Sequence, residues 1–269
     1  MLALALSAAI QVTLQARAVT PGELVVLTIA LPEHCDRLSV RAFDRPVQPF
    51  PIDERTWRAP IGIDLDAAPG TYRVAIDAGA GLTRAYPLVV RPKQFRIRRL
   101  TVDEAFVTPP PGLEERIARE AALLASVWGR SASERLWTAP FIRPVQEPAN
   151  SAFGTRSVFN GKPRNPHTGA DFLSPSGTPI HAPNAGTVVL ARDLYFSGNT
   201  VVIDHGLGMF SLFAHLSSVA VHEGDRIGRN DVLGLVGATG RVTGPHLHWA
   251  VRTGGARVDP LSLLAVLGP

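Results

Sequence analysis

Thr243-Gly244-Pro245-His246-Leu247-His248-Trp249 is the stretch on which the reading of this chain turns. In an extended strand, residues two apart point to the same face. His246 and His248 would therefore face one pocket, flanked by the apolar Leu247 and Trp249. Imidazole is the commonest protein ligand for zinc. A second set of candidate ligands lies upstream, His167 and Asp171 in Pro166-His167-Thr168-Gly169-Ala170-Asp171-Phe172. Their even spacing suits one strand face, and a helix face as well. Pro166 and Gly169 argue against a helix interior, so the segment reads as a loop running into a strand at Asp171-Phe172. Three protein ligands with an open fourth position mark a catalytic zinc, whereas a structural zinc is closed by four. Four candidates are present, and spacing does not choose between His246 and His248.

Glycine turns surround these residues. From Ser151 to about Leu267 short β-branched runs alternate with them: Thr187 to Leu190, Thr200 to Asp204, Met209 to Leu216, Val232 to Val236 and His246 to Val251. Most of the eight histidines fall here. The 24 glycines and 23 prolines of the 269-residue chain favour short strands over long helices throughout. Residues 10–92 also read as short alternating runs, about seven strands, and predict an immunoglobulin-like β-sandwich. Residues 93–150 form a connector. Within it Leu113, Ile117, Ala121, Leu124 and Trp128 recur at helical spacing and predict one amphipathic helix of about four turns. The chain is thus expected to be mainly β: an N-terminal sandwich, a helical connector, and an antiparallel sheet domain at 151–269 with a zinc groove.

Residues 1–9 are apolar with small residues at their end and are read as a signal peptide, the alternative being a first strand. No run reaches the length of a membrane span. The net charge is +4, and Lys93 and Lys162 are the only lysines among 27 basic residues. No dense basic run with interleaved aromatics points to nucleic acid. A single cysteine, Cys35, excludes an internal disulfide and a cysteine-rich metal site. Nothing sets the oligomeric state, and a monomer is favoured.

The motifs resemble those of the lysostaphin-type (LytM-like) zinc endopeptidases, which cut peptidoglycan peptides. The resemblance runs in order from Ser151-Ala152-Phe153-Gly154-Thr155-Arg156, through Phe159-Asn160-Gly161 and Pro166 to Phe172, to Gly177-Thr178-Pro179-Ile180-His181-Ala182-Pro183. It continues through Phe213-Ala214-His215-Leu216 and ends in Gly240 to Trp249. It implies zinc ligands at His167, Asp171 and His248, and catalytic histidines at His215 and His246. Zinc would activate water and polarise the scissile carbonyl, while the two histidines handle protons or stabilise the oxyanion. Arg156, Asn160 and Thr243 are candidate substrate contacts. The family commonly has Tyr at position 213, where this chain has Phe, and a packing role is expected there. The implied setting is the periplasm or cell envelope, with peptidoglycan peptide as partner. A non-catalytic groove module that binds or activates another cell-wall hydrolase is the alternative. Of the remaining histidines, His34, His181 and His222 are expected to be structural or solvated. His205 is expected either to line the groove or to hold a turn.

Overall fold

The computed structural model describes residues 9–102, 104, 109–150 and 153–269. The signal-peptide reading therefore lies, but for its last residue, outside the described residues, as do Ser151 and Ala152 of the first resembling segment.

The N-terminal half is built from two four-stranded antiparallel sheets. Its strands are β1 (Gln11–Ala16), β2 (Leu24–Ala30), β3 (Ser39–Ala42), β4 (Arg45–Val47), β5 (Phe50–Pro51), β6 (Thr56–Gly62), β7 (Gly70–Asp77) and β8 (Thr83–Val90). One sheet runs β1-β2-β6-β5, the other β4-β3-β7-β8. Alternating residues of both, Leu27, Ile29, Trp57, Val40, Val74, Ile76 and Leu88 among them, share one buried core. The two short strands β4 and β5 are the ones that alternation did not reveal. β2 breaks the alternation, because Leu24, Val25, Val26 and Leu27 are all buried. One face of β2 packs in the sandwich, and Leu24 joins the core of the C-terminal half. A strand covered on both faces reads as a continuous apolar run.

After β9 (Ile97–Leu100) comes α1 (Glu114–Trp128), close to the predicted helix. Its packed face is rotated from the predicted stripe. Val127 is buried and Leu123, Leu124 and Trp128 pack beside it, while Ala121 is exposed. The side chains these residues meet, Leu190, Leu194, Val202 and Phe210, lie on the outer face of the C-terminal sheet. The remainder of the connector is woven into that half, where Trp137, Phe141 and Val145 are core residues.

The C-terminal half comprises β10 (Ala149–Asn150), β11 (Arg156–Phe159), β12 (Lys162–Pro163), β13 (Gly169–Phe172), β14 (Pro179–His181), β15 (Gly186–Leu194), β16 (Gly198–Gly206), β17 (Met209–Val219), β18 (Arg226–Ile227), β19 (Val232–Val236), β20 (Leu247–Thr253), β21 (Ala256–Val258) and α2 (Pro260–Leu267). Its main sheet follows β10-β13-β20-β17-β16-β15-β18, with β14, β19 and β21 on its flanks. β11 pairs in parallel with β9 and antiparallel with β12. β20 alternates cleanly: Leu247, Trp249 and Val251 are buried in the core, and His248, Ala250 and Arg252 take the other face. No helix among the described residues is long and apolar enough to cross a membrane.

The two halves are joined by charge as well as by apolar packing. Arg17 bonds Glu23 and Asp259, each at 2.7 Å, and Lys93 adds a contact to Glu23 at 3.0 Å. Asp259 also caps α2, accepting from the Leu261 N–H at 2.9 Å. Arg257 holds Asp64 at 2.6 Å and Asp66 at 2.8 Å. Gly62 permits the close approach: a Cβ there would lie 2.7 Å from the Ala256 Cβ. Glu23 and Asp259 are almost wholly buried, so losing their shared cation leaves Glu23 with Lys93 alone and takes the Arg17 partner from Asp259. Arg17→Met is expected to lower the unfolding free energy by about 2–3 kcal/mol, less than for a fully buried pair because Arg17 is partly exposed. Urea denaturation at neutral pH measures it.

Candidate metal centre

Antiparallel pairing builds the site. β13 and β20 place Asp171 directly opposite His248, and β17 places Ala214 opposite His248 on the other side. His167 lies on the loop that enters β13, anchored by its N–H to the Thr155 carbonyl at 3.0 Å. Gly169 lets the imidazole of His248 lie against the β13 backbone. A Cβ at that position would fall 2.8 Å from His248 Nε2 and 2.5 Å from the Trp249 carbonyl oxygen. Glycine inside a strand marks such a close approach.

Three side-chain atoms converge here. His248 Nδ1 stands 2.9 Å from Asp171 Oδ1, and His167 Nε2 stands 3.0 Å from both. Two neutral imidazoles meeting nitrogen to nitrogen have at most one proton between them, and the carboxylate brings none. The triangle therefore presents more lone pairs than protons. The donor set of two imidazoles and one carboxylate suits a divalent cation, and these are the residues able to hold one. Burial alone would raise the Asp171 carboxyl. Hydrogen bonding to His167 and His248 outweighs that and holds it far below the usual carboxylate range. Burial, with the charge of His167, pushes His248 down against the pull of Asp171, leaving a neutral ring with a lone pair to donate.

His215 and His246 flank the triangle, with ring centroids 4.8 Å apart, and His215 lies 6.0 Å from His248. His215 Nδ1 faces the Thr239 carbonyl at 3.0 Å, and His246 Nδ1 faces the Gly244 carbonyl at 2.9 Å. A ring nitrogen facing a carbonyl must carry the proton. In the neutral form both rings therefore keep their lone pair on Nε2. His246 Nε2 is 3.9 Å from Asp171 Oδ1. Burial first, then the charge of His248, lowers the His215 pKa to about 4. The ring is thus neutral at pH 7. His215 also takes a left-handed backbone, φ 69°, although it lies within β17. Such a conformation is uncommon for a residue with a Cβ, and the N–H bond to the Ser197 carbonyl at 2.8 Å holds it.

The structure brings His167, Asp171, His215, His246 and His248 together. Only His248 is within β20, because His246 precedes it and makes an isolated bridge to Gly237. The candidate substrate contacts do not gather there. Arg156 pairs with Asp66 at 2.8 Å across the two halves. The Asn160 amide brackets the Val102 backbone, accepting from its N–H and donating to its carbonyl, each at 2.9 Å. Thr243 is exposed on the loop leading to His246. Phe213 is fully buried and stacks on Trp249, the ring planes 5° apart. His205 is also fully buried, bonded to the Ala185 carbonyl and to Ser211, and its pKa falls to about 4 through burial. It holds a turn and does not line the groove. His181 bonds the Asn230 carbonyl, His34 bonds Asp36, and His222 is solvated. Sequence reasoning missed Thr239 and Gly244, whose contribution is a backbone carbonyl that any residue type carries. It also missed Gly169, for which an isolated glycine before Asp171 was the one signal.

Residues 165–260 match the model of peptidase family M23. The crystal structure of a putative M23 peptidase from Pseudomonas aeruginosa is 34% identical and superposes with a TM-score of 0.74, covering 93% of this chain and 97% of that one. The chain belongs to the M23 peptidases, the family of the lysostaphin-type enzymes that its motifs resemble. Peptidoglycan DD-endopeptidase ShyA of Vibrio cholerae is 43% identical over 96 residues, 36% of this chain and 22% of that protein. DD-carboxypeptidase/endopeptidase Mpg of Neisseria meningitidis is 43% identical over 97 residues, with the same shares. The chain thus spans about a fifth of the length of the curated relatives it matches.

If the triangle is a metal site, Asp171→Asn should weaken divalent-metal binding by about 10-fold or more, because a neutral amide replaces the one anionic donor. Competition against a chelator of known affinity, read by elemental analysis, measures this without reference to activity.

Proposed function

We propose that this protein is a zinc-dependent endopeptidase that hydrolyses peptide cross-links of peptidoglycan in the cell envelope. The observation that carries the reading is a three-donor cluster flanked by two histidines whose proton positions are fixed by backbone carbonyls. His167, Asp171 and His248 would hold the zinc. Bound zinc would supply a water of near-neutral pKa and a Lewis acid for the scissile carbonyl.

The chain's own residues account for the remaining chemistry. His215, kept neutral by its burial, presents Nε2 as a proton acceptor, and its Nδ1–H is held by Thr239. His246, whose Nε2 lies 3.9 Å from Asp171 Oδ1, is placed beside the donor cluster where an oxyanion would develop. Naming peptidoglycan as substrate rests on the relatives whose names state that activity. The sheet orders β1-β2-β6-β5 and β4-β3-β7-β8 support reading the N-terminal sandwich as immunoglobulin-like. We read it as a spacer fixed to the peptidase half by the Arg17 and Arg257 ion pairs.

His215→Ala and His246→Ala are each expected to keep the metal and to lose about 10²–10⁴-fold in kcat, the range for a positioned acid–base group. Digestion of purified peptidoglycan followed by mass spectrometry of the fragments measures the loss and identifies the bond. Wild-type rates in both variants would refute the assignment.

A further inference from the structure

The outer face of the main sheet does not end at the metal triangle. Beyond His248 the same face of β20 presents Ala250 and then Arg252, paired with Leu212 and Phe210 of β17. α1 lies across the far end of this surface. Between helix and sheet a cavity of about 150 Å³ remains, lined by Leu124, Trp128, Leu212, Ala250 and Arg252, with Thr168 and His248 at its inner end. Apolar side chains of α1 and the sheet form its walls, and Thr168, His248 and Arg252 add polar groups to it. One end is the candidate metal centre and the other is a guanidinium. Three residues of strand separate His248 from Arg252, about 13 Å between their Cα atoms.

Arg252 is unusual among the arginines at the junction of the two halves. Its guanidinium stacks on Trp128, 4.9 Å from the ring centroid, and Trp128 is wedged edge-on against Phe210. The Arg252 side chain is largely withdrawn from water, which lowers its pKa. Among the described residues no carboxylate lies within ion-pair distance of it. Its hydrogen bond is a long one, 3.4 Å, to the Gly255 carbonyl. The acids near it are committed elsewhere: Asp64 to Arg257, and Asp66 to Arg257 and Arg156. A half-buried guanidinium fixed by an aromatic face, with donors to spare, is a site for a carboxylate.

We propose that Arg252 determines specificity: it binds a carboxylate on the substrate peptide, on one side of the scissile bond, while the cavity under α1 holds the intervening portion of the peptide. This rests on the peptidase reading of the metal centre and adds the chemical class of what flanks the cut bond. α1 then serves as one wall of the substrate groove, through Leu124 and Trp128.

The test uses a cross-linked dimer of peptidoglycan stem peptides in three forms: all carboxylates free, all converted to carboxamides, and the C-terminal carboxyl alone amidated. The third form separates a terminal from a side-chain carboxylate. Metal-loaded full-length protein should prefer the free acid over the full amide by about tenfold or more in kcat/KM. Arg252→Met keeps the stem that packs on Trp128. It should bring the acid down to the level of the amide and leave the amide unchanged. Arg252→Gln serves as a second variant should the first fail to fold, as checked by thermal denaturation. Binding of each dimer by calorimetry is read in parallel and requires no turnover. Preferential binding of the acid that disappears in Arg252→Met supports the site even if no dimer is cut, an outcome that would instead refute the peptidase reading. Equal binding of acid and amide, or a variant that loses both alike, overturns the role of Arg252 whether or not the dimers are cut.

Discussion

The register between β13 and β20 is the constraint on which the site depends. Asp171 sits opposite His248, and a slip of β13 by one residue would turn Asp171 into the core and bring Ala170 and Phe172 out. The apolar residues that alternate with the site fix this register. Phe172, Leu247, Trp249 and Val251 are buried on the inner face, so the core that stabilises the sheet also aims the polar side chains outward. Gly169 then removes the one Cβ that would hold the His248 ring away. Packing and site placement are one event in this sheet.

Around that register the protein arranges its histidines by local hydrogen bonds. The two that flank the triangle are oriented by carbonyls of a single loop, Thr239 and Gly244. Thr239 also donates its hydroxyl to the Leu216 carbonyl at 2.8 Å and accepts from the Asn199 N–H at 2.9 Å. The loop is thereby tied to β16 and β17. His215 adopts its left-handed backbone where the pairing of β17 with β16 shifts register, between Phe213 and Leu216. Residues in sparsely populated backbone regions persist where the surroundings over-determine them, and here the surroundings are the groups that set the ring.

Much of the site was legible in the sequence because its residues sit at fixed short offsets on strands. His167 and Asp171, and His246 and His248, are pairs whose spacing implies a shared face, and family resemblance separates ligand from neighbour within the second pair. The mainly β architecture was legible in the alternation of β20 and of β3, and in the turn glycines. What escaped has physical reasons. β2 and the residues of the connector that enter the C-terminal core are buried on more than one side, which erases periodicity. The packed face of α1 shifted away from Ala121 because ion pairs dock the helix as well as apolar contacts: Arg116 reaches Asp193, and Glu120 accepts from the Tyr195 N–H. Arg156 and Asn160 were plausible groove residues by type, but each found a partner within the fold. Backbone carbonyls that fix tautomers leave no trace in residue identity.

The central claim is that His167, Asp171 and His248 form one metal centre, with His215 and His246 beside it and not bound. Anomalous diffraction at the zinc edge, on crystals of the full chain grown with zinc, tests it most directly. The account predicts one strong peak in contact with His167 Nε2, Asp171 Oδ1 and His248 Nδ1, at about 2.0–2.1 Å from each nitrogen. A peak bound by His246 in place of His248, or no peak within the triangle, would contradict it.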